Sequence, residues 1–186
     1  MSKSFITPDK LIGIDRQGNV LDAAEGLRPS SEVKMNLRCY DKRPDVRSVI
    51  HAHPPGATGF AVAHKDMDMY NMIEDVAVIG SVPLTPYGTP STEEVPEAIA
   101  PYLGGHDALL LQNHGALTVG ADVLTAYYRM ETLELYAKIS LVATMLGGGQ
   151  ELSLKNIDRL ISMRQGYKVT GKHPSYKKYR NQEADR

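Results

Sequence analysis

Hydrophobic and polar residues alternate along the chain in a pattern that predicts short strands mixed with helices. Two apolar runs at 12–15 and 20–22 flank turn-forming residues, which predicts a β-hairpin. Short runs rich in β-branched or apolar residues predict further strands at 48–53, 76–79, 82–84, 108–112 and 117–119. Strands and helices mixed in this way indicate an α/β or α+β layered domain.

Helices are predicted where apolar residues recur at spacings of three and four. The segment that begins near Ser30 places Val33, Leu37 and Tyr40 on one face and should end before Pro44. Similar patterns predict further helices at 56–64, 91–102, 121–145 and 153–164.

The predicted helix at 121–145 is the longest. Glu131, Glu134 and Lys138 form a polar stripe along it, and three glycines at 147–149 should end it. The residues predicted to form its apolar surface are Leu124, Tyr127, Tyr128, Leu135, Ile139 and Val142.

Composition narrows the class of protein. A chain of 186 residues can bury a core as one domain, and its 21 basic and 22 acidic residues give a net charge of -1. This balance gives no electrostatic basis for binding nucleic acid or an anionic membrane, so neither partner is expected. Cys39 is the single cysteine, which excludes an intrachain disulfide. No apolar run approaches the roughly 20 residues needed to span a bilayer, and no signal peptide is recognisable, so we expect a cytoplasmic protein.

The histidines supply the first candidate chemistry. His51 and His53 lie two apart on a predicted strand, so both side chains should point to the same face near the end marked by Pro54. His114 ends an apolar strand just before Gly115. Three such imidazoles could bind one metal ion, although surface or core histidines are the simpler interpretation of the pair alone. The remaining histidines, His64, His106 and His173, have no such pattern and are interpreted as structural or surface residues.

Glu32 is the candidate carboxylate. It follows Ser30 and Ser31 at the predicted start of a helix. On position alone, the serines are candidate N-caps and Glu32 is a first-turn carboxylate that suits the helix dipole. A helix start flanked by hydroxyl groups is also a natural site for an anion.

Four motifs, in this order, resemble the class II aldolase/adducin family. They are Arg-Pro-Ser-Ser-Glu at 28–32, the segment 43–55 with its His-Ala-His, Pro-Leu-Thr-Pro-Tyr-Gly-Thr-Pro at 83–90, and Leu-Leu-Gln-Asn-His-Gly at 110–115. The most similar group is that of the L-fuculose-phosphate-aldolase-like enzymes. The resemblance extends over roughly residues 5–167 and is specific for the family, not for a substrate.

The resemblance implies an α/β fold, a three-layer α/β/α domain around a mainly antiparallel central sheet. We expect this domain at 1–170, followed by a polar and mobile C-terminal tail at 171–186. It also implies a homo-oligomer, usually a homotetramer with sites between subunits.

The resemblance also implies a site. His51, His53 and His114 match the family's ligands to a divalent metal, usually Zn²⁺, with Mn²⁺ or Co²⁺ as alternatives. Glu32 matches the catalytic acid/base, and Ser30 and Ser31 match residues that bind the substrate's phosphate. Further acids are expected at positions that align only loosely: Tyr70 as a second catalytic proton donor, with Tyr167 and Asp75 as alternatives.

The expected function is that of a zinc-dependent aldolase, a lyase of carbohydrate metabolism that cleaves a C–C bond in a small sugar phosphate or hydroxy-keto compound. Retro-aldol cleavage leaves an enediolate, whose negative charge a Lewis-acidic metal would stabilise while a positioned carboxylate moves a proton on carbon. A metal-dependent epimerase, decarboxylase or dehydratase could use the same site. A non-catalytic adducin-like interaction domain is the third possibility, although such members tend to lose the metal ligands.

The start of the chain departs from the family pattern. The family's first helix, Gly-Asn loop and Thr-Pro-x-Gly turn, which complete the phosphate pocket, are expected before Met1. Thr7 and Pro8 are followed by Asp9 and Lys10, so they do not form that turn. We therefore expect an N-terminally short chain relative to the family.

Overall fold

The computed structural model describes residues 6–174, and every structural statement below refers to that range. Six strands are present: β1 (Gly13–Ile14), β2 (Val20–Asp22), β3 (Ser48–Ala52), β4 (Leu84–Thr85), β5 (Ala108–Leu111) and β6 (Gly115–Gly120). Five α-helices accompany them: α1 (Val33–Lys42), α2 (Pro55–Val62), α3 (Glu94–Ile99), α4 (Val123–Met145) and α5 (Leu154–Met163). A 3₁₀ turn (Pro8–Lys10) and a π-helical turn (Asp75–Ile79) complete the set.

The central sheet has four strands in the order β3-β6-β5-β4. The β3–β6 and β5–β6 pairs are antiparallel and the β4–β5 pair is parallel, so the expected mainly antiparallel sheet is confirmed. In the register of β3 with β6, His51 lies opposite Leu117 and Ala52 opposite Ala116. The predicted hairpin is also confirmed, because β1 and β2 pair antiparallel as a separate sheet.

Helices cover both faces of the sheet, which confirms the three-layer α/β/α fold. On one face, Leu110 and Ala116 pack in a core cluster with residues of α2 and α4. On the other face, Leu109, Leu111 and Leu117 pack with residues of α1 and α3. The alternation of neighbouring strand residues between the two clusters is the period of two that a strand imposes.

The predicted strand at 76–79 is wrong, because these residues belong to the π-helical turn Asp75–Ile79. Val76 and Ile79 are both buried, but they pack in different hydrophobic clusters. A short apolar run does not by itself distinguish a buried strand from a buried helical turn. Gly80 ends the turn with a φ of 67°, a conformation that glycine adopts without strain.

The face assigned to α1 is only partly correct. Met35 and Cys39, four residues apart, are its fully buried residues, whereas Val33, Leu37 and Tyr40 are half-buried. The helix bounds agree with prediction, since α1 ends at Lys42, two residues before Pro44.

The apolar residues predicted to pack on α4 instead point away from the rest of the described chain. They include Tyr128, which is 54% exposed, and Val142, which is 55% exposed. The helix packs instead through Ala126, Arg129, Met130, Leu133, Tyr136, Ala137 and Ser140. Small residues allow this face to approach α2 closely, since a Cβ at Gly56 would lie 3.2 Å from that of Ala137.

Glu134 of α4 is mostly buried rather than part of a solvated stripe. Its carboxylate accepts hydrogen bonds from the backbone N–H groups of Gly56 (3.0 Å) and Ala57 (2.9 Å). These are first-turn N–H groups of α2, which have no partner within that helix. Glu134 therefore anchors the start of α2, which begins two residues after His53.

Residues 171–174 are the only described part of the expected tail, and they contact the domain. The Lys172 N–H donates to Asp107 (2.8 Å), and His173 Nε2 donates to the Val76 carbonyl (2.7 Å). Residues 175–186 lie outside the described residues, so the expected boundary at 170 and the mobility of the tail stay predictions. Within the described range, none of the helices combines the length and apolar character that a membrane crossing requires.

Candidate metal centre

His51 is placed by strand β3 and held by the neighbouring strand β6. Its Nδ1 lies 2.9 Å from the Ala116 carbonyl oxygen, which can only accept, so Nδ1 carries the proton and donates. This bond fixes the tautomer, so Nε2 is unprotonated and its lone pair is available to bind a metal. Burial lowers the pKa of His51 to about 4, and the charge of Glu32 acts in the opposite direction. The ring is therefore neutral at pH 7, the form that binds a metal.

His53 follows directly after β3 and points to the same side, as the alternation along a strand predicts. Its Nε2 lies 3.1 Å from Nε2 of His51. Zinc–nitrogen bonds of about 2.0–2.1 Å in a tetrahedral site would separate two ligand nitrogens by about 3.3–3.4 Å. The pair is thus spaced almost as two ligands of one such ion.

His114 completes the group from the turn between β5 and β6. Its ring centroid lies 4.6 Å from that of His51 and 5.0 Å from that of His53. One ligand nitrogen of each histidine lies within 4.8 Å of the others, so the three residues fit a metal-binding group. The structure therefore brings together the three histidines that the sequence selected.

Gly115 lets the histidines pack against the backbone of the next strand. A Cβ at this position would lie 2.5 Å from Cδ2 of His53 and 2.6 Å from the Ala52 carbonyl oxygen. Distances this short do not occur for real side chains, so residue 115 has to be glycine for His53 to occupy its place.

Glu32 lies at the start of α1 and is only 8% exposed. The hydroxyl of Ser31 donates to Oε1 of Glu32 (2.9 Å), and the Glu32 N–H donates to the Ser30 hydroxyl (3.3 Å). The structure makes Glu32 itself the N-cap residue, with no capping bond from its side chain, so neither serine is the N-cap. The carboxylate is thus not used to cap the helix, and its charge acts to raise the pKa of His51, against the effect of burial.

The expected second proton donors lie in three different surroundings. Tyr70 is 1% exposed and packs in a hydrophobic cluster with Val76 and Ile157. Asp75 is buried below α4, where desolvation raises its pKa to about 7. Tyr167 is 60% exposed beyond α5. The position of Tyr70 within a single chain gives no support for its catalytic role, which stays a prediction.

Two residues near the centre were not selected from the sequence. Glu134 anchors α2 beside His53, and His64 contacts the turn that carries His114. Both contacts span at least 49 positions along the chain, and no local pattern signals such a contact.

Three converging imidazoles, in an α/β domain with a buried carboxylate at the start of α1, form a candidate metal site of the kind that supports lyase chemistry. The family model for the Class II Aldolase and Adducin N-terminal domain matches residues 1–141, and the chain belongs to this family. Class II aldolases depend on a metal, which agrees with the histidine site.

Similar proteins are named aldolases. An L-fuculose phosphate aldolase of Methanococcus vannielii is 30% identical over 138 residues, which cover 73% of this chain and 71% of that protein. A solved structure of an L-fuculose 1-phosphate aldolase is 28% identical, with a TM-score of 0.79 over 87% of this chain and 75% of that one. The structure of YgbL from Escherichia coli, described as a candidate aldolase/epimerase/decarboxylase, is 26% identical, with a TM-score of 0.74 over 84% of this chain and 75% of that one. These relatives support an aldolase-like function.

Proposed function

We propose that this protein is a zinc-dependent aldolase that cleaves a C–C bond in a small sugar phosphate or hydroxy-keto compound. The observation that carries the proposal is the convergence of His51, His53 and His114, with ligand nitrogens within 4.8 Å of one another. The buried carboxylate of Glu32 acts electrostatically on His51 and supplies the candidate acid/base. A set of three imidazoles suits Zn²⁺, and Mn²⁺ or Co²⁺ are alternatives. A bound divalent cation would supply Lewis-acid polarisation of the substrate's carbonyl oxygen.

Glu32 is proposed to move the proton in this reaction. Its Oε1 accepts from the Ser31 hydroxyl, which orients the carboxylate and leaves Oε2 for a proton on the substrate. Because Glu32 is 8% exposed, little bulk water competes for that oxygen. His51, neutral and fixed by the Ala116 carbonyl, cannot take over the role without losing its function as a ligand.

Ser30 and Ser31 are proposed to bind the substrate's phosphate. Both side chains are exposed at the start of α1, where free N–H groups and the helix dipole favour an anion. The net charge of -1 supplies no long-range attraction for an anionic substrate, so its affinity would come from these local groups and the metal.

A homo-oligomer, expected to be a tetramer, is part of the same proposal. The outer face of α4 exposes Leu135, Ile139 and Val142 at 41–55%, more apolar side chain than a helix normally presents to water. The catalytic role of Tyr70 as a second proton donor is also retained as a proposal.

The decisive experiment combines metal removal with one carboxylate substitution. Zinc content is measured on the purified protein, and aldehyde release is assayed over a panel of sugar phosphates before and after chelation. We expect chelation to abolish cleavage and Glu32→Gln to lower kcat by about 10²–10⁴-fold without loss of zinc. Glu97→Gln, at an exposed carboxylate of α3, is the matched control and should leave kcat unchanged. Undiminished turnover by Glu32→Gln would refute the proposed mechanism.

A metal-dependent epimerase or decarboxylase is the second candidate. The description of the Escherichia coli relative favours it, since it leaves the same three reactions open for that protein. The same panel distinguishes them, because an aldolase releases an aldehyde, an epimerase forms an epimer and a decarboxylase releases carbon dioxide. A protein purified without metal and unable to bind zinc would instead support a non-catalytic adducin-like domain.

A further inference from the structure

His64 contacts the turn that carries His114. The residue lies just after α2, and its Nε2 is 2.7 Å from Oδ1 of Asn113. Its Nδ1 is 3.3 Å from Nε2 of Gln112. Gln112 in turn accepts from the backbone N–H of Tyr87 through Oε1 (2.7 Å). A chain of three hydrogen bonds therefore connects the end of α2 with both residues that precede His114.

The direction of these bonds follows from one fixed donor. A backbone N–H can only donate, so the amide oxygen of Gln112 faces Tyr87 and its NH₂ group faces His64. Nδ1 of His64 then has to accept, which leaves Nε2 as the protonated atom that donates to Asn113. In this single tautomer, each of the three hydrogen bonds joins a donor to an acceptor.

The backbone of the turn depends on such support. Asn113 has a φ of 54°, the left-handed region that few residues other than glycine occupy, and asparagine tolerates it best. The Asn113 N–H also donates to the Ala61 carbonyl of α2 (3.3 Å). Since His114 follows Asn113 directly, the conformation of Asn113 decides where the imidazole of His114 points.

The other side of the turn is fixed by contact with the histidines. Gly115 lies against His53 and the Ala52 carbonyl, so the turn cannot shift toward β3. His64 and Ala61 hold it on the side of α2. The turn that carries His114 is thus held on two sides. On one side it packs against His53, a member of the metal-binding group, and on the other side it bonds to His64 and Ala61, which are not members.

We propose that His64 is a positioning residue of the metal centre, which fixes Asn113 and through it the orientation of His114, without binding the metal. This inference rests on the proposed metal site. It assigns a role to a histidine that is exposed and forms no part of the metal-binding group. Groups that orient ligands in this way typically contribute about 10–100-fold to metal affinity.

The test measures zinc affinity by competition with a chromophoric chelator in the full-length protein and its variants. His64→Gly removes the imidazole and suits the left-handed backbone there (φ 55°), so the fold should be retained. Lys168→Gly, at another exposed left-handed position (φ 58°), is the matched control. His64→Gln keeps an amide donor for Asn113.

We expect His64→Gly to raise the zinc Kd by about tenfold or more, His64→Gln to raise it less, and Lys168→Gly to leave it unchanged. The absorption spectrum of the Co²⁺-substituted protein should change in His64→Gly, because the ligand geometry changes. Without metal, His64→Gly should melt at the same temperature as Lys168→Gly. If His64 served only the stability of the fold, His64→Gly would melt at a lower temperature than this control.

Unchanged zinc affinity in His64→Gly, or an equal loss in Lys168→Gly, would overturn the inference and leave the proposed function intact. Failure of the unmodified protein to bind zinc would overturn the proposed function, and this inference with it. If His64→Gly does not fold, His64→Ala takes its place: a rise of about tenfold in its zinc Kd, with a smaller rise in His64→Gln, supports the inference, and unchanged zinc affinity in His64→Ala overturns it.

Discussion

Substitution of Gly115 by alanine tests the geometry of the metal centre with a single methyl group. That methyl would lie 2.5 Å from Cδ2 of His53 and 2.6 Å from the Ala52 carbonyl oxygen. Ordinary van der Waals contact begins at 3.4 Å, so the methyl group is about 0.9 Å too close to His53.

The two neighbours differ in how easily they can retreat. The Ala52 carbonyl belongs to β3, whose pairing with Ala116 also positions the oxygen that holds His51. The His53 ring lies beyond the strand and can rotate away. A displacement near 1 Å greatly exceeds the roughly 0.2 Å tolerance of a metal–ligand distance, so His53 would cease to be a ligand.

Gly115→Ala should therefore weaken zinc binding by about 100-fold or more. Overpacking should also destabilise the metal-free protein by about 1–3 kcal/mol. Zinc affinity is measured by chelator competition, and stability by urea unfolding followed by circular dichroism, because the chain has no tryptophan.

Gly59→Ala is the matched control for this substitution. Gly59 lies inside α2, and a Cβ there would meet no atom within 4 Å. This variant should leave zinc affinity unchanged and stabilise the helix by about 0.5–1 kcal/mol. Wild-type zinc affinity and stability in Gly115→Ala would refute the packing of the histidines on residue 115.

Three further predictions concern the rest of the domain. Asp107→Asn should destabilise the protein by about 3–5 kcal/mol in urea unfolding. The substitution leaves the buried guanidinium groups of Arg43 (2.8 Å) and Arg129 (2.9 Å) without their shared carboxylate. A loss below about 1 kcal/mol would contradict this prediction. Burial raises the pKa of Asp75 from 3.8 to about 7, so this group costs the folded state stability as pH rises from 4 to 7. Asp75→Asn should accordingly gain stability relative to the unmodified protein over that window, and a pH-independent difference would refute the shift. Val142→Lys should lower the oligomer mass seen by sedimentation, and an unchanged mass would argue against association through the outer face of α4.

The sequence singled out the three histidines that the structure brings together, and two local rules account for the choice of residues. Alternation along β3 places His51 and His53 on one side, and the end of an apolar strand places His114 near a sheet edge. The sheet order, with β6 between β3 and β5, brings His114 close to His51 and His53. Only the family resemblance anticipated this proximity.

Features that depend on contacts between residues far apart in the sequence could not be predicted from local patterns. Periodicity finds the apolar residues of α4, but it does not say which side of the helix meets the sheet. Small residues such as Ala137 decide that, since they let the backbones of α2 and α4 approach. For the same reason, the contacts of Glu134 with α2 and of His64 with Asn113 had no signal in the sequence.

The bonds made by residues 170–174 bear on where a working fragment of this protein can be cut. The stretch matched by the family model stops at residue 141, inside α4. A fragment with that end would discard the Thr170 carbonyl, which accepts from Arg129 (2.6 Å), and the Lys172 N–H, which donates to Asp107. The stretch matched by the family model thus ends before residues that bond to buried charged groups of the domain, and an expression fragment should extend at least to Pro174.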